Sequence, residues 1–336
     1  MVRGKYTVIS TFAGGGGSSL GYKLAGFHEL LAIDFDKNAY KTFNLNFDCQ
    51  AWERNIQDVK AKEILDFCNI NKGELDILDG SPPCQGFSTA GKRIINDDRN
   101  DLFKDFIRLI NGLYPKVFVM ENVSGMVKGK MKGSFIQIIK ELKSCGYNVK
   151  CKLINAKYYN VPQSRQRVIF IGVRYDLNIV PTYPTPTNNI IKIKDLMPVE
   201  VTEDDRMVNN DINWEAKPYC YLLSKRVKPG ENLGKYFVNK YFGFGVIDIN
   251  KSSPTIIKTM AMPKSKLFII KDGELHILPS LLLKRIGSFP DEFRFNIFDN
   301  YKLNYQNLVT IIGNSVPPKL MEAIALNIKK NILDMI

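Results

Sequence analysis

The chain has 336 residues, 45% hydrophobic and 24% charged, which is enough apolar material for one large folded domain and a smaller one and excludes global disorder. Lysine and arginine number 47 against 34 aspartate and glutamate, a net charge of +13 that suits either a polyanionic partner or merely a solvated surface. No apolar run approaches the about 18 residues of a membrane helix, the opening Met1-Val2-Arg3-Gly4-Lys5-Tyr6 lacks a signal-peptide core, and six scattered cysteines with two histidines offer neither a disulfide framework nor metal-ligand spacing. Membrane and secreted classes are set aside, and a reduced, cytoplasmic, metal-free protein is expected.

Tyr6-Thr7-Val8-Ile9-Ser10 has strand character, and the glycines that follow lead into a helical stretch ending at Gly26. Leu30-Leu31-Ala32-Ile33, Leu75-Asp76-Ile77-Leu78, Val117-Phe118-Val119-Met120 and Val168-Ile169-Phe170-Ile171-Gly172-Val173 continue the strand series. Between them, residues 102–113 and 134–142 carry apolar side chains at helical spacing. Strand, helix, strand predicts an α/β fold with a doubly wound, mostly parallel, Rossmann-like sheet. After Arg174 the prolines of Pro181-Thr182-Tyr183-Pro184-Thr185-Pro186-Thr187 suggest a stiff extended linker, and residues 202–211 read as an exposed loop. Residues 217–271 hold eleven basic residues against two acidic ones, with aromatic and glycine interruptions and no long helical pattern. A second, smaller, irregular and strand-rich domain is expected there. Finally Leu320, Ile324, Ile328 and Ile332 recur every four residues, as in a helix that buries one face.

Two places carry chemistry. Phe12-Ala13-Gly14-Gly15-Gly16-Gly17 sits where the first strand turns into the first helix, where glycines admit a tight turn and free N–H groups meet a ligand. Asp34 and Asp36 follow about twenty residues later, at the end of the next strand, where a carboxylate can bind ribose hydroxyls. Asp34 is the better candidate, because Asp36 is suited to capping the next helix. The pattern points to an adenosine-type ligand without saying which. The second place is Asp79-Gly80-Ser81-Pro82-Pro83-Cys84-Gln85-Gly86-Phe87-Ser88, in which two prolines hold the chain extended ahead of a cysteine flanked by small polar residues. Such a thiol lies on a loop, and as a nucleophile it needs cationic or donor groups nearby.

Taken together, Phe12 to Gly17, Pro83-Cys84-Gln85, Glu121-Asn122-Val123, Gln163-x-Arg165-x-Arg167 and Gly313-Asn314-Ser315-Val316-Pro317 stand in the order found in DNA (cytosine-5)-methyltransferases of bacterial or phage restriction-modification type. The chain resembles that family over nearly its whole length. The resemblance implies methyl transfer from S-adenosylmethionine to C5 of a flipped-out cytosine in a specific duplex sequence, through a covalent bond between Cys84 and C6. It implies catalytic roles for Cys84, Gln85, Glu121, Asn122, Arg165 and Arg167, with the arginine pair holding the O2 edge of the base and a phosphate. It implies cofactor contacts from Phe12, Ala13, Gly14, Gly16, Gly17, Asp34, Phe35, Asn55, Ile56, Pro83, Leu102, Asn314 and Ser315. DNA contacts fall to Ser88, Gln163 and Thr255 and to Lys92 and Arg93 on a closing loop. The catalytic domain is expected at residues 1–185 and 308–336 and the target-recognition domain at 186–307. Double-stranded DNA is the expected partner, a cognate restriction endonuclease a further candidate, and a monomer the expected state.

Three positions depart from the family pattern. Ser10 stands where many members carry an acid, Arg54-Asn55-Ile56 where Gly-Asp-Ile is frequent, and Leu281-Leu282 where an Arg-Glu pair is usual. An RNA (tRNA) methyltransferase of the same fold is the nearest alternative, though its Cys-Phe-Thr signature is missing. A NAD-dependent oxidoreductase would share the glycine turn and Asp34 but have no use for Cys84, Glu121 and the arginine pair.

Overall fold

The computed structural model describes residues 6–83, 101–127, 132–211, 228–231, 245–261, 266–271 and 274–336. The chain divides into two compact units. The first comprises Met1–Asn155, Gln166–Pro186 and Pro318–Ile336, and the second Ala156–Arg165 and Thr187–Pro317.

Unit 1 is built on seven strands: β1 (Thr7–Thr11), β2 (His28–Asp34), β3 (Gln50–Glu53), β4 (Ile77–Gly80), β5 (Val117–Val123), β6 (Tyr147–Asn155) and β7 (Gln166–Arg174). Their spatial order is β3-β2-β1-β4-β5-β7-β6. All neighbours up to β5 are parallel, whereas β7 runs antiparallel to both β5 and β6. The central strands are apolar on both faces because helices cover both, and β5 is buried from Val117 through Asn122. From β1 the chain winds outward to β2 and β3, then returns to β4 and winds the other way. The loops after β1 and β4 therefore leave the sheet side by side at its carboxyl end, the switch point where such sheets bind ligands.

Among the described residues six helices belong to this unit: α1 (Gly17–Leu24), α2 (Lys37–Asn44), α3 (Ala61–Cys68), α4 (Asp101–Leu113), α5 (Lys132–Ser144) and, from the C-terminal segment, α9 (Pro318–Asn331). In α9 the residues spaced by four, Leu320, Ile324 and Ile328, are all buried, as is Ile332 just beyond it. Strands β3 and β6 escape the sequence pattern for a common reason: they are the edges of the sheet. Lys150 and Lys152 on β6 face solvent and dilute its apolar signal.

In unit 2 the strands β8 (Gly245–Val246), β9 (Leu267–Lys271) and β10 (Glu274–Ile277) form a small sheet in the order β10-β9-β8. Helices α6 (Glu203–Asn210), α7 (Ser280–Ile286) and α8 (Tyr301–Asn314) accompany it. Two expectations are corrected. Residues 202–211 are not a loop: Thr202 and Asp205 form a reciprocal capping box that starts α6. Asp205 is 2% exposed, and its other oxygen accepts from the amide and hydroxyl of Ser280 at 3.0 and 2.6 Å. The proline-rich stretch is extended, but it is bonded to unit 1 rather than free. Tyr183 donates to the Ile169 carbonyl at 2.9 Å, and Asn327 donates to the Thr182 carbonyl at 2.9 Å.

Candidate active site

The first turn follows from its residue types. Phe12 and Gly14 lie at φ 55°, and Gly16 lies at φ 93° as the N-cap of α1. A Cβ on Gly16 would stand 2.3 Å from the Phe47 ring, so this position excludes side chains on both conformational and steric grounds. The turn is held by Asp34. One carboxylate oxygen accepts from the Gly14 amide at 2.7 Å and the other from the Asp36 amide at 2.8 Å. Burial pushes this carboxyl up from its ordinary range, against the pull of those two N–H groups. Asp36 caps α2 through the amides of Asn38 and Ala39, both at 2.9 Å.

Beside this turn lies a cleft of about 250 Å³. Six of its nine lining residues, Phe12, Asp34, Phe35, Asn55, Ile56 and Leu102, are among those expected from sequence. The other three, Ile33, Arg54 and Gln57, were missed because each neighbours an expected residue without carrying a motif. Phe35 is 67% exposed, a large free aromatic face at the cleft. Asn55 accepts from the Gln57 amide at 3.2 Å and caps the short turn that follows it. Arg54 points its charge away, pairing with Glu63, donating to the Asp58 carbonyl at 2.9 Å and lying over the Trp52 ring. The opposite side of this wall is fixed by Arg108 of α4, which donates to the carbonyls of Val59 and Ile56 at 2.6 and 2.9 Å.

At the end of β4 the segment Ser81-Pro82-Pro83 is described, and its Pro82 carbonyl accepts from the Asn122 side chain at 3.2 Å. Cys84, Gln85, Ser88, Lys92 and Arg93 lie outside the described residues. Glu121 ends the apolar run of β5 and is 8% exposed. Its register partner on β7 is Ile169, two residues from Arg167, so Glu121 and Arg167 are diagonal neighbours on one face. The Arg167 Nε lies 2.7 Å from the Glu121 carboxylate. Burial lowers the Arg167 guanidinium, and Glu121 opposes that shift.

A buried acidic group beneath the turn was not anticipated. Asp79 of β4 is 2% exposed and accepts from the Tyr22 hydroxyl at 3.1 Å. Burial first, and then the neighbouring Glu29, push it up to about 8. Glu29 accepts from Ser19 at 3.0 Å and is pushed by burial up to about 7. Ser19 also reaches the Ser10 hydroxyl at 3.4 Å. Ser10, where many family members carry an acid, is thus linked through Ser19 to the carboxylate of Glu29 on the adjacent strand.

The remaining expected residues belong to unit 2. Gln163 is 1% exposed; its side chain accepts from the Ile256 amide at 3.1 Å and donates to the Ile286 carbonyl at 3.3 Å. Arg165 is 2% exposed and donates to the carbonyls of Ile256 and Gly313 at 3.0 and 2.8 Å. The expectations of direct DNA contact by Gln163 and of base or phosphate contact by Arg165 therefore meet side chains engaged with this unit's own backbone. The two arginines fall in different units: Arg165 is the last residue of the unit 2 segment Ala156–Arg165, and Arg167 lies on β7 of unit 1. Thr255 is half-buried and donates to the Ser164 carbonyl at 2.8 Å. Asn314 is exposed at the end of α8, and the Ser315 hydroxyl closes that helix on the Ile311 carbonyl at 2.7 Å.

A doubly wound sheet with a glycine turn, a carboxylate bonded to that turn and a cleft beside them defines a Rossmann-like class, and a buried Glu–Arg pair lies at the carboxyl end of β5. The sequence profile of C-5 cytosine-specific DNA methylases matches residues 6–330, and the chain belongs to that family. It is 31% identical to the Type II methyltransferase M.FnuDI of Fusobacterium nucleatum, over 97% of this chain and 95% of that one. It is 32% identical to M.NgoPII of Neisseria gonorrhoeae, over 97% and 96%. Among solved structures, an Escherichia coli prophage protein described as a DNA modification methyltransferase has the same fold, with a TM-score of 0.74 and 23% identity over 98% of this chain and all of that one. The Dnmt2 methyltransferase of S. pombe follows at 0.69 and 17%, over 96% of this chain and 98% of that one. The chain is thus a DNA (cytosine-5) methyltransferase, of a family that draws its methyl group from S-adenosylmethionine.

Proposed function

We propose that the enzyme methylates C5 of a cytosine flipped out of a specific duplex sequence, with Cys84 as the covalent nucleophile. The observation that carries this reading is the Glu121–Arg167 pair, desolvated at the carboxyl end of the sheet one strand from the Pro82-Pro83 approach to Cys84. Cytosine C5 is a weak nucleophile. Addition of the Cys84 thiolate to C6 forms a sulfur–carbon bond and shifts the C5–C6 electron pair onto C5. Glu121, fixed by Arg167, accepts from the exocyclic amine and holds a proton between its other oxygen and N3, offsetting the negative charge that builds on the ring. S-adenosylmethionine, when bound, would supply an electrophilic methyl to the C5 electron pair, its sulfonium leaving as the neutral thioether of S-adenosylhomocysteine. Loss of the C5 proton then restores the C5–C6 double bond and expels the Cys84 thiolate. Because C6 is attacked from above the ring, the cytosine must leave the stack.

The residues of the cleft fit an adenosine. Phe35 offers a free face for stacking on the base, and Phe12 and Leu102 wall it. Asp34 spends one lone pair of each oxygen on the turn and keeps others for ribose hydroxyls. Asn55 and Ile56 also line the cleft, and we assign Asn55 to the base edge and Ile56 to its apolar wall. Ala13, Gly14, Gly16 and Gly17 present the backbone, and Pro83, Asn314 and Ser315 complete the cofactor set. Gln85 and Asn122 join Cys84 and Glu121 as catalytic residues, Ser88, Lys92 and Arg93 contact the DNA, and unit 2 reads the sequence through the Thr255 region. The Type II names of the relatives support a modification enzyme, and we place it in the cytoplasm as a monomer, beside an endonuclease of the same specificity. Incubation with methyl-labelled S-adenosylmethionine and either plasmid DNA or tRNA tests the reading: label is expected in DNA alone, and label in tRNA alone would replace it with the RNA alternative.

A further inference from the structure

Among the described residues Arg165 is the largest fully buried side chain, and two of its guanidinium nitrogens donate to backbone carbonyls. Three other stretches of unit 2, at Ser253 to Ile256, at Ile286 and at Gly313, are bonded to the segment that carries it. Segment Pro162-Gln163-Ser164-Arg165 runs parallel to Ser253, with Ser253 donating to the Pro162 carbonyl at 2.9 Å and Ser164 to the Ser253 carbonyl at 2.7 Å. Gln163 then engages Ile256 and Ile286, and Arg165 spans from Ile256 to Gly313. At Gly313 the approach is at its limit: a Cβ would stand 2.4 Å from the Lys258 nitrogen and 2.7 Å from the Ile257 carbonyl carbon. The planar guanidinium fork therefore sets the spacing of two backbones that are already in contact.

We infer that Arg165 is a positioning residue, which fixes the Thr255-Ile256 segment against the end of α8 and so sets the register in which that segment meets DNA, without itself touching DNA. The inference rests on unit 2 being the DNA-reading unit. It separates two physical roles for the same cation. A phosphate contact needs charge, which lysine supplies as a point donor. A strut needs the fork, which lysine lacks.

Arg165→Lys and Arg165→Met are therefore compared with wild type well below each variant's melting temperature. Bisulfite sequencing of a methylated plasmid reads site preference, and fluorescence anisotropy with a duplex bearing the wild-type site reads affinity against salt. Both variants are expected to raise KM for DNA about tenfold or more and to blur site preference, with the slope of log affinity against log salt unchanged. A slope shallower by about 1 in Arg165→Met, with lysine restoring affinity, would show a phosphate contact and overturn the inference. Variants that melt earlier yet keep wild-type KM and preference would reduce Arg165 to a fold-stabilising role and overturn it too. Gly313→Ala strains the same spacing without removing a charge and is expected to give the same pair of changes. Wild-type protein offers a test without variants. Arg165 should resist phenylglyoxal in the free enzyme while Arg206, whose side chain is 62% exposed, reacts; Arg165 reacting when free and protected by DNA would refute the role. Should wild type itself fail to methylate DNA, it is the proposed function that falls.

Discussion

Glu29→Gln tests the buried acids beneath the cofactor turn. Glu29 and Asp79 are raised to about 7 and about 8, burial being the first cause in both. Their unfolded values lie at about 4. A raised acid is held more tightly in the folded chain, so its protonated form favours folding. Stability is full below the unfolded values, falls as pH climbs towards the folded ones, and levels off above about 8. Across the interval from about pH 6 to about pH 8 the two groups together cost about 3 kcal/mol, which corresponds to a melting temperature lower by about 6 °C. The variant keeps an oxygen for Ser19 but removes one titration and the repulsion that helps raise Asp79. Its decline over the same interval should be roughly half that of wild type, leaving it the more stable protein at the alkaline end. Differential scanning fluorimetry at matched ionic strength measures both curves, and every group common to the two proteins cancels in the comparison. Parallel curves would show that Glu29 is not a buried titrating acid and refute the reasoning.

Cys84→Ala should abolish methyl transfer while leaving DNA affinity close to wild type, and a 5-fluorocytosine duplex should trap the wild type alone, because fluorine blocks the elimination step; a methylating alanine variant would exclude Cys84 as nucleophile. Glu121→Gln should lower kcat by about 100-fold or more, and should also destabilise by about 3 kcal/mol because Arg167 keeps its charge in a buried place; calorimetry and single-turnover rates check the two effects separately. Phe35→Ala should raise KM for S-adenosylmethionine about tenfold through lost stacking without moving the melting temperature, since the ring is 67% exposed; a stability loss instead would make it a packing residue.

Much of this was legible in the sequence because the central strands are long apolar runs and the site residues lie at their carboxyl ends. What escaped did so for local physical reasons. Edge strands β3 and β6 are half solvated, so their periodicity is diluted. Helix α6 is almost wholly polar, and only the Thr202 and Asp205 spacing announced it. Arg165 and Gln163 were expected at the base and on the DNA, since long-range carbonyl partners leave no trace in spacing. Glu29 carries no motif, and its link to Ser19 is visible only in the folded chain.

Unit 2 is also not one uninterrupted stretch of chain. After β6 the chain contributes Ala156–Arg165 to it, goes back for β7, and supplies the remainder only from Thr187 onward. On the proposed reading of unit 2 as the DNA-reading unit, this splicing bears on how specificity can be transplanted between enzymes. A chimera that exchanges residues 187–317 alone would inherit the host's Gln163 and Arg165 opposite a foreign Ile256, Ile286 and Gly313. The natural cassette is discontinuous, and the ten-residue insert between two strands of the catalytic sheet has to travel with it. Recombination at a single pair of crossover points is therefore a poor route to new specificities here, whereas point changes within the Thr255 region leave the graft boundary intact.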